Sequence, residues 1–308
     1  MKIGVIYGGT SSERDVSLST GKGIIQALKQ NGYEVTAVDF HPDRLESILS
    51  LEVDLVFIAL HGKYGEDGRI QGLLEILGIP YVGSGIMSSS LAMDKARAKV
   101  LFEQAAIRTA KGLTIAADHL PLQDSPLGYP VVIKPNSEGS TIGLTIAHDR
   151  DTFMKGINEA FKFDQQVLVE EFVSGNEITV SVIEEDKKTR ALPVVEIVPK
   201  NQYYDYESKY APGMSDHFVP ARIPESVMQV AQDWAVQAHN ILGCETYSRV
   251  DFIWPENDEF PVILEVNTLP GMTPTSLYPD AARAIGLSYE QMIDHLIRQS
   301  ITSKQSPV

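Results

Sequence analysis

The sequence that decides the fold reads Arg249-Val-Asp-Phe252 and, a little further on, Glu265-Val-Asn-Thr-Leu-Pro-Gly271. Each stretch has the pattern of a β-strand with polar residues on one face. Because successive side chains of a strand point to opposite faces, the apolar positions can pack inward while the polar ones project together. The inward set is Val250, Phe252 and Val266, and the projecting set is Arg249, Asp251, Glu265 and Asn267.

The projecting set has the chemistry of a metal-nucleotide site. Two carboxylates and an amide oxygen suit Mg²⁺ ions that bridge phosphates. The guanidinium of Arg249 suits negative charge that develops on a reacting carbonyl or phosphate. The alternative is a surface hairpin with scattered charges, although Gly271, which ends the second stretch, favours a functional site.

Composition limits the class of protein. The chain has 308 residues, of which 43% are apolar, enough for two or three domains with real cores. With 26 Lys and Arg against 41 Asp and Glu, the net charge of -15 argues against a general nucleic-acid surface. Anionic ligands must therefore be held by cations placed locally.

Cysteine usage and hydropathy predict a reducing, aqueous compartment. The single cysteine, Cys244, cannot form an internal disulfide and is expected to be a packed thiol. No basic and apolar leader precedes the first strand, and runs such as Val53 to Leu60 are too short to span a bilayer. We therefore expect a cytoplasmic protein without membrane insertion.

The order of elements predicts an α/β fold that begins with a parallel sheet. Strands alternate with helices, and such units bring strands side by side in one direction. The expected strands are Ile3 to Tyr7, Glu34 to Asp39 and Asp54 to Leu60. The expected helices are Thr10 to Gln30, Asp67 to Leu77 and Met93 to Gln104, with Tyr81 to Gly85 as a linking loop.

Two further blocks follow. The second has strands at Pro130 to Lys134 and Gln166 to Glu171 and a helix at Thr152 to Phe161, and the third is mostly β from Gly175 until a helix at Gln291 to Ile301. The expected domains are an N-terminal substrate domain at 1–93, a central domain at 94–175, a C-terminal catalytic domain at 176–303 with a lid loop at 200–213, and a tail at 304–308.

A glycine-rich loop, Pro135-Asn-Ser-Glu-Gly-Ser-Thr-Ile-Gly143, follows the strand that ends near Lys134. Backbone N–H groups of such a loop can approach phosphate oxygens, and Lys134 adds positive charge. The spacing of a Walker loop is missing, as is the dinucleotide fingerprint around Gly8-Gly9. The alternative is a mobile hairpin turn.

Two polar residues lie where the first and third strands are expected to end. Thr10-Ser-Ser-Glu13 has the spacing of a capping box, which would occupy Glu13 without any ligand. His61, before Gly62, could be a satisfied core residue. Ligands of open α/β sheets nevertheless bind at the carboxyl ends of strands, so the convergence of Glu13 and His61 favours a shared site.

The segment from Asn201 to Pro212 is polar, rich in tyrosine and long for a connection. Loops of this kind inside compact domains are often active-site lids. Lys209 and Tyr210 are its candidates for ligand contact. The alternatives are an ordered surface loop and a partner contact.

Taken together, the motifs resemble those of the D-alanine:D-alanine ligases of the ATP-grasp superfamily, over essentially the whole chain. They occur in the family's order: His61-Gly-Lys-Tyr-Gly-Glu-Asp-Gly68, Lys134-Pro with Glu138-Gly-Ser140, Glu170-Glu171 before Glu177, Tyr206-Glu-Ser-Lys-Tyr210, Arg249-Val-Asp251 and Glu265 to Gly271. The resemblance implies three α/β domains, with ATP held between the central and C-terminal ones.

The resemblance also implies a role for each candidate residue. Glu13, Ser140 and Tyr210 would orient the first D-alanine and tie the lid to the N-terminal domain, with His61 nearby. Arg249 and the Gly271 N–H would stabilise the oxyanion, and Ser276 and Leu277 would bind the second carboxylate. ATP would contact Lys95, Lys134, Glu170, Glu171, Val173, Glu177 and Lys209, and two Mg²⁺ ions would contact Asp251, Glu265 and Asn267.

The implied reaction joins two D-alanines through a D-alanyl phosphate, with release of ADP and phosphate, for peptidoglycan precursor synthesis. Mn²⁺ as a substitute metal, a monovalent cation and a homodimer are further implications of the family. Tyr210 favours a dipeptide over D-alanyl-D-lactate. Thr246 departs from the family, which more often has glycine there, and puts the local turn in question. Another ATP-grasp carboxylate-amine ligase and a non-catalytic nucleotide-binding regulator remain alternatives.

Overall fold

The N-terminal part of the computed structural model is a parallel four-stranded sheet in the order β2-β1-β3-β4, with helices α1 to α4 between and after the strands. The structure describes residues 1–117, 123–200 and 214–304. The parallel sheet is the one expected from the alternation of strands and helices. Its elements are β1 (Lys2–Gly8), α1 (Arg14–Gln30), β2 (Glu34–Phe40), α2 (Glu46–Leu49), β3 (Leu55–Ile58), α3 (Arg69–Ile76), β4 (Tyr81–Val82) and α4 (Ile86–Met93).

A central antiparallel sheet follows, in the order β5-β8-β6-β7. Helix α6 packs on its core face, where Ile133, Phe153 and Val169 are fully buried. The elements are α5 (Lys95–Gln104), β5 (Gly112–Ala116), β6 (Val131–Pro135), β7 (Thr145–Ala147), α6 (Arg150–Ala160) and β8 (Gln166–Glu171).

The C-terminal sheet has the path β12-β11-β9-β13-β14, with β10 paired to β9. Helix α7 covers its core face, opposite the polar face. The elements are β9 (Asn176–Glu185), β10 (Lys188–Ala191), β11 (Val195–Pro199), β12 (Ser215–Phe218), α7 (Glu225–Ile241), β13 (Tyr247–Trp254), β14 (Val262–Asn267), α8 (Leu277–Ala284) and α9 (Tyr289–Lys304).

One hydrophobic core joins the N-terminal and C-terminal parts of the chain. Phe57 and Ile6 of the parallel sheet belong to the same buried cluster as Tyr247, Tyr278 and Leu296 from the C-terminal part. The central sheet has a core of its own, drawn from residues 115–169. The parallel sheet therefore buries its apolar faces partly against the C-terminal region rather than within its own segment.

The helix expected at Met93 to Gln104 is present as α5 and begins two residues later, because Asp94 is its N-cap residue and its side chain accepts a hydrogen bond from the Arg97 N–H. Three other expectations about local structure are wrong. The expected loop at Tyr81 to Gly85 contains β4, which pairs with β3. The largely β region contains two helices that the sequence did not suggest, α7 and α8.

The third error is the capping box at Thr10 and Glu13. Helix α1 begins at Arg14, and Glu13 is its N-cap residue without a side-chain capping bond. The Glu13 N–H instead donates to Ser11 Oγ at 3.2 Å. The carboxylate of Glu13 is consequently directed elsewhere, into a cavity described below.

The turn at Thr246 keeps the conformation that glycine favours. Thr246 has a φ of 64°, in the left-handed region that a β-branched residue rarely adopts. Its N–H donates to Glu184 Oε2 at 2.8 Å, and its hydroxyl lies 3.1 Å from Ser300 Oγ. These bonds hold a strained residue in place, so the departure from glycine leaves the turn itself intact.

Across the described ranges 1–117, 123–200 and 214–304, no helix is both long and apolar enough to cross a bilayer. The lid residues Lys209 and Tyr210, and the tail beyond residue 304, lie outside the described ranges.

Candidate active site

The polar faces of β13 and β14 meet as the alternation of the sequence predicted. In the antiparallel register Arg249 lies opposite Asn267, and Asp251 lies opposite Glu265. Their apolar neighbours, Val250, Phe252 and Val266, are buried on the other face of the sheet. Four polar side chains are thus brought to one patch of the sheet.

Asp251 is the centre of this patch. Its carboxylate accepts two hydrogen bonds from Arg249, from Nε at 2.8 Å and Nη2 at 2.7 Å. It also accepts the Thr179 hydroxyl at 2.6 Å and the Asn267 Nδ2 at 2.9 Å. This network fixes the plane of the guanidinium, and it orients the Asn267 side chain through its nitrogen and not its oxygen.

Lys95 connects the patch to the glycine-rich loop. Its ammonium donates to the Glu138 carbonyl at 2.6 Å and lies 3.2 Å from Glu265 Oε2. The loop is fastened to the same helix, α5, because the Ala96 N–H donates to Asn136 Oδ1 at 2.9 Å. A buried cation therefore stands between the loop and one of the two carboxylates.

A polar cavity of about 600 Å³ lies on one side of the patch. The Ser140 hydroxyl donates to Glu13 Oε1 across this cavity, and joins the glycine-rich loop to the N-terminal part. Ser140 has a left-handed backbone with a φ of 52°. Gly62 (φ 65°) leaves room for the Glu13 carboxylate, since a Cβ there would lie 3.0 Å from Glu13 Oε2.

His61 is a wall of this cavity. Its Nδ1 lies 3.1 Å from the Leu269 carbonyl, and its Nε2 lies 3.0 Å from the Thr20 hydroxyl. A carbonyl only accepts, so Nδ1 carries a proton. Burial lowers the pKa of His61, which favours the neutral ring. Both ring nitrogens are engaged by the protein, so His61 ties β3 to the loop before Gly271.

The far end of the cavity is formed by the loop that leads into α8. Gly271, Ser276 and Leu277 line it, and Ser276 is the N-cap residue of α8. The Ser276 hydroxyl receives the Thr273 N–H at 3.1 Å. The first N–H groups of a helix carry partial positive charge, so this end of the cavity suits a carboxylate.

A second cavity, of about 550 Å³, lies between the central and C-terminal sheets. Lys134 and Glu170 project into it from the cavity face of the central sheet, where Lys134 Nζ lies 2.7 Å from Glu170 Oε2. The side chain of Glu171 accepts the Lys111 N–H at 3.0 Å. The sequence-predicted nucleotide residues that line this cavity are Lys95, Lys134, Glu170, Glu171, Val173 and Glu177.

The two cavities share part of their walls. Gly139 and Ser140 of the glycine-rich loop line both, and so does Glu265. A group bound at the inner end of one cavity would therefore face a group bound in the other across Glu265.

The donor set at this shared wall fits Mg²⁺. Asp251 and Glu265 offer carboxylate oxygens, and Asn267 offers an amide oxygen because its nitrogen is the atom bonded to Asp251. Within the described part of the chain, no three His, Cys, Asp or Glu side chains form a cluster that could hold a metal alone. Mg²⁺ bound through one or two carboxylates usually takes its other ligands from phosphates and water.

Among the residues that sequence reasoning missed are Glu66, which lines the first cavity, and Lys99, which lies behind a lining residue of the second. Glu66 lines the first cavity and accepts the Gly62 N–H at 2.7 Å. Burial, and next the negative charge of Glu13, raise the pKa of Glu66 to about 8. Lys99 itself does not line the second cavity but contacts Glu170, which does. Glu66 belongs to the quoted His61 to Gly68 motif, which was the available signal, whereas Lys99 had no signal beyond its place four residues after Lys95.

The protein has three sheets, a cavity between the central and C-terminal sheets, and a polar cavity beside that one. This is the arrangement of an enzyme of the ATP-grasp fold, and the structural matches confirm it. Two family models match the chain: D-ala D-ala ligase N-terminus over residues 2–45 and 43–84, and D-ala D-ala ligase C-terminus over residues 101–298. The chain belongs to the D-alanine–D-alanine ligase family.

Individual relatives agree with this assignment. A D-alanine–D-alanine ligase of Halalkalibacterium halodurans is 58% identical over 306 residues, which cover 98% of this chain and 99% of the relative. The structure of D-alanine–D-alanine ligase from Bacillus anthracis complexed with ATP matches with a TM-score of 0.84 at 34% identity, covering 99% of each chain. The VanG D-Ala:D-Ser ligase from Enterococcus faecalis matches with a TM-score of 0.84 at 33% identity, covering 97% of this chain and 99% of that one.

Proposed function

We propose that this protein joins two D-alanine molecules into D-alanyl-D-alanine and converts ATP to ADP and phosphate. The observation that carries the proposal is the shared wall of the two cavities at Glu265 and the glycine-rich loop. An amino-acid carboxylate in the polar cavity would there face the terminal phosphate of a nucleotide in the other cavity. The family membership of the chain supports the choice of reaction.

In the first step, a carboxylate oxygen of the first D-alanine attacks the terminal phosphorus of ATP. The phosphoryl group is transferred to that oxygen, and ADP is the leaving group. The amine of the second D-alanine then attacks the carbonyl carbon of the D-alanyl phosphate. The new C–N bond replaces the bond to phosphate, phosphate departs, and the amine loses a proton.

Glu13 is proposed to bind the ammonium of the first D-alanine. Its carboxylate offers negative charge and acceptor oxygens to an ammonium group, and Ser140 fixes its orientation. Arg249, held by Asp251, and the Gly271 N–H would stabilise the negative charge on the carbonyl oxygen when the amine attacks. Tyr210 would complete the group with Glu13 from the lid.

The second D-alanine is proposed to place its carboxylate at Ser276 and Leu277. The hydroxyl of Ser276 and the start of α8 together offer hydrogen-bond donors and partial positive charge. His61 would keep this loop at the correct distance from β3, because it bonds the Leu269 carbonyl.

The nucleotide is proposed to lie in the second cavity. Glu170, Glu171 and Val173 would lie beside the adenine, and Glu177 would bind the ribose hydroxyls. Lys95 and Lys134, with Lys209 of the lid, would hold the phosphates. Two Mg²⁺ ions, with Mn²⁺ as a substitute, would bind Asp251, Glu265 and Asn267 and would neutralise charge on the transferred phosphoryl group.

The wider setting of the reaction is also a proposal. The product would serve peptidoglycan precursor synthesis in the cytoplasm, with the protein acting as a homodimer and a monovalent cation as a further ion. The chain would be organised as three domains, divided near residues 93 and 175, with ATP between the central and C-terminal ones.

Phosphate release with MgATP is the test. We expect release that depends on D-alanine and a product with the mass of D-alanyl-D-alanine. Release with D-alanine and D-serine together, giving a mixed dipeptide as the main product, would instead support the activity named for the Enterococcus relative. Release that does not depend on D-alanine would refute the proposal, and nucleotide binding without turnover would point to a regulator.

A further inference from the structure

Lys99 is a buried lysine that no step of the proposed reaction uses. It lies on α5, four residues after Lys95 and therefore on the same side of the helix. Its ammonium donates to Glu170 Oε1 and, at 2.6 Å, to the Ala110 carbonyl. The second cavity is lined by Ala110 and Glu170 but not by Lys99. Any effect of Lys99 on a nucleotide must therefore pass through another residue.

Glu170 is that residue, because two lysines share its carboxylate. Lys99 contacts Oε1 and Lys134 contacts Oε2, and the lysine side chains are each 12% exposed against 6% for the carboxylate. Burial alone would raise the pKa of Glu170, but Lys134 and Lys99 outweigh burial and hold that pKa below its usual range. Glu170 is thus a buried carboxylate that stays ionised by virtue of its two cations.

The strand next to Glu170 leaves space for this arrangement. Gly112 pairs with Glu170 across β5 and β8. A Cβ at Gly112 would lie 2.9 Å from Glu170 Cγ and 2.8 Å from the Val169 carbonyl oxygen. Because Gly112 has no side chain, the Glu170 side chain can lie where Lys99 contacts it.

Lys134 has two competing tasks in this geometry. It neutralises Glu170 in the structure, and it is the cation of the central sheet that faces the nucleotide cavity. When Lys134 moves toward a phosphate, a Glu170 with no other cation would be left as a buried unpaired charge, which is strongly unfavourable. Lys99 removes that conflict, since it stays on the other oxygen.

We propose that Lys99 is a positioning residue for nucleotide binding: it keeps Glu170 paired and in place, so that Lys134 can be shared with the nucleotide phosphates. The proposal rests on the proposed function only in placing a nucleotide in the second cavity. It does not depend on the identity of the amino-acid substrates.

The test is the affinity of Lys99→Met for MgADP, measured by isothermal titration calorimetry without amino acid. Glu170 keeps Lys134 in the unliganded variant, which should therefore fold, with a melting temperature lowered by the loss of the two hydrogen bonds that Lys99 donates. The dissociation constant should rise roughly 10- to 100-fold, the range for loss of a hydrogen bond to a charged group. Lys162→Met, which removes an exposed lysine paired with Glu159, is the control and should bind as the wild type does.

A second variant separates positioning from general damage. In a Glu170→Gln background there is no carboxylate to neutralise, so adding Lys99→Met should weaken MgADP binding by less than about threefold. A Lys99→Met dissociation constant within twofold of the wild type would overturn the proposal, and so would an undiminished loss in the Glu170→Gln background. A wild type that binds MgADP but shows no D-alanine-dependent phosphate release would refute the proposed function and leave this inference standing.

Discussion

Replacing Arg249 by lysine tests the central patch most directly. The guanidinium donates from Nε and Nη2 to the two oxygens of Asp251, with both side chains largely buried at 15% and 17% exposure. A lysine keeps the positive charge, but its single nitrogen cannot reproduce a two-point contact in one plane. Arg249→Lys should therefore fold. Its positive charge, however, would no longer be held beside the carbonyl oxygen that becomes negative during the reaction.

The expected loss follows from that displacement. Removal of one well-placed donor to a developing oxyanion costs about 100- to 1,000-fold in kcat, or about 2.7 to 4 kcal/mol. The KM for ATP should change little, because Arg249 lines the polar cavity and not the nucleotide cavity. Release of ADP in a coupled assay, with D-alanine and ATP varied in turn, gives both quantities.

A matched control is available on the surface. Arg14 makes the same two-point contact with Asp39, at 2.8 and 2.7 Å, but the two side chains are 41% and 43% exposed and line neither cavity. Arg14→Lys should keep kcat within about twofold, since exposed pairs contribute little. A kcat for Arg249→Lys within tenfold of the wild type, or an equal loss in Arg14→Lys, would refute the assignment of Arg249 as the oxyanion donor.

Three further predictions concern the metal ligands, a buried acid and a strained turn. Glu265→Ala should lower phosphate release at least about 100-fold because a carboxylate of the shared wall is lost; near-normal turnover would show that the metal assignment is wrong. Glu66 has a raised folded-state pKa of about 8, so the stability that its proton contributes is complete below the unfolded pKa and is lost as pH rises toward 8. Glu66→Gln cannot ionise, and its melting temperature should therefore fall less than that of the wild type between pH 5 and 8.5; parallel falls would contradict this. The free energy of unfolding of Thr246→Gly should lie within about 1 kcal/mol of that of the wild type, because relief of the left-handed strain offsets the lost contact with Ser300. Thr246→Val should be clearly less stable, because it keeps the strain and loses the hydroxyl. The reverse order of stability in thermal denaturation would be inconsistent with this account.

Period and spacing were enough to predict the patch at Asp251 and Glu265. Strand alternation is a local property, so it assigned these side chains to one face before any tertiary contact was known. The predicted capping box at Thr10 and Glu13 is wrong because spacing alone does not determine where a helix begins. The spacing of Thr10 and Glu13 is compatible with a cap, but Ser11 accepts the Glu13 N–H and the helix starts at Arg14, three residues later than a cap at Thr10 requires.

Lys99 and Glu66 could not be predicted in the same way. The partner of Lys99 is Glu170, 71 residues further along the chain, and only the folded structure brings them together. The raised pKa of Glu66 requires both burial and the nearby charge of Glu13, which come from different segments. The break between α4 and α5, by contrast, did have a local signal in Asp94, a preferred N-cap residue.

The single core shared by the N-terminal and C-terminal parts has a consequence for synthesis on the ribosome. Tyr33 donates to Asp294 Oδ1 at 2.5 Å across a separation of 261 residues, and Leu296 completes the core around the parallel sheet. The parallel sheet packs against α1 and α3 of its own segment, but its core is completed only when α9 has been made. The central sheet, with its separate core, can fold in the interval. We therefore expect the N-terminal part to reach its full stability after the central sheet, although it precedes that sheet in the sequence.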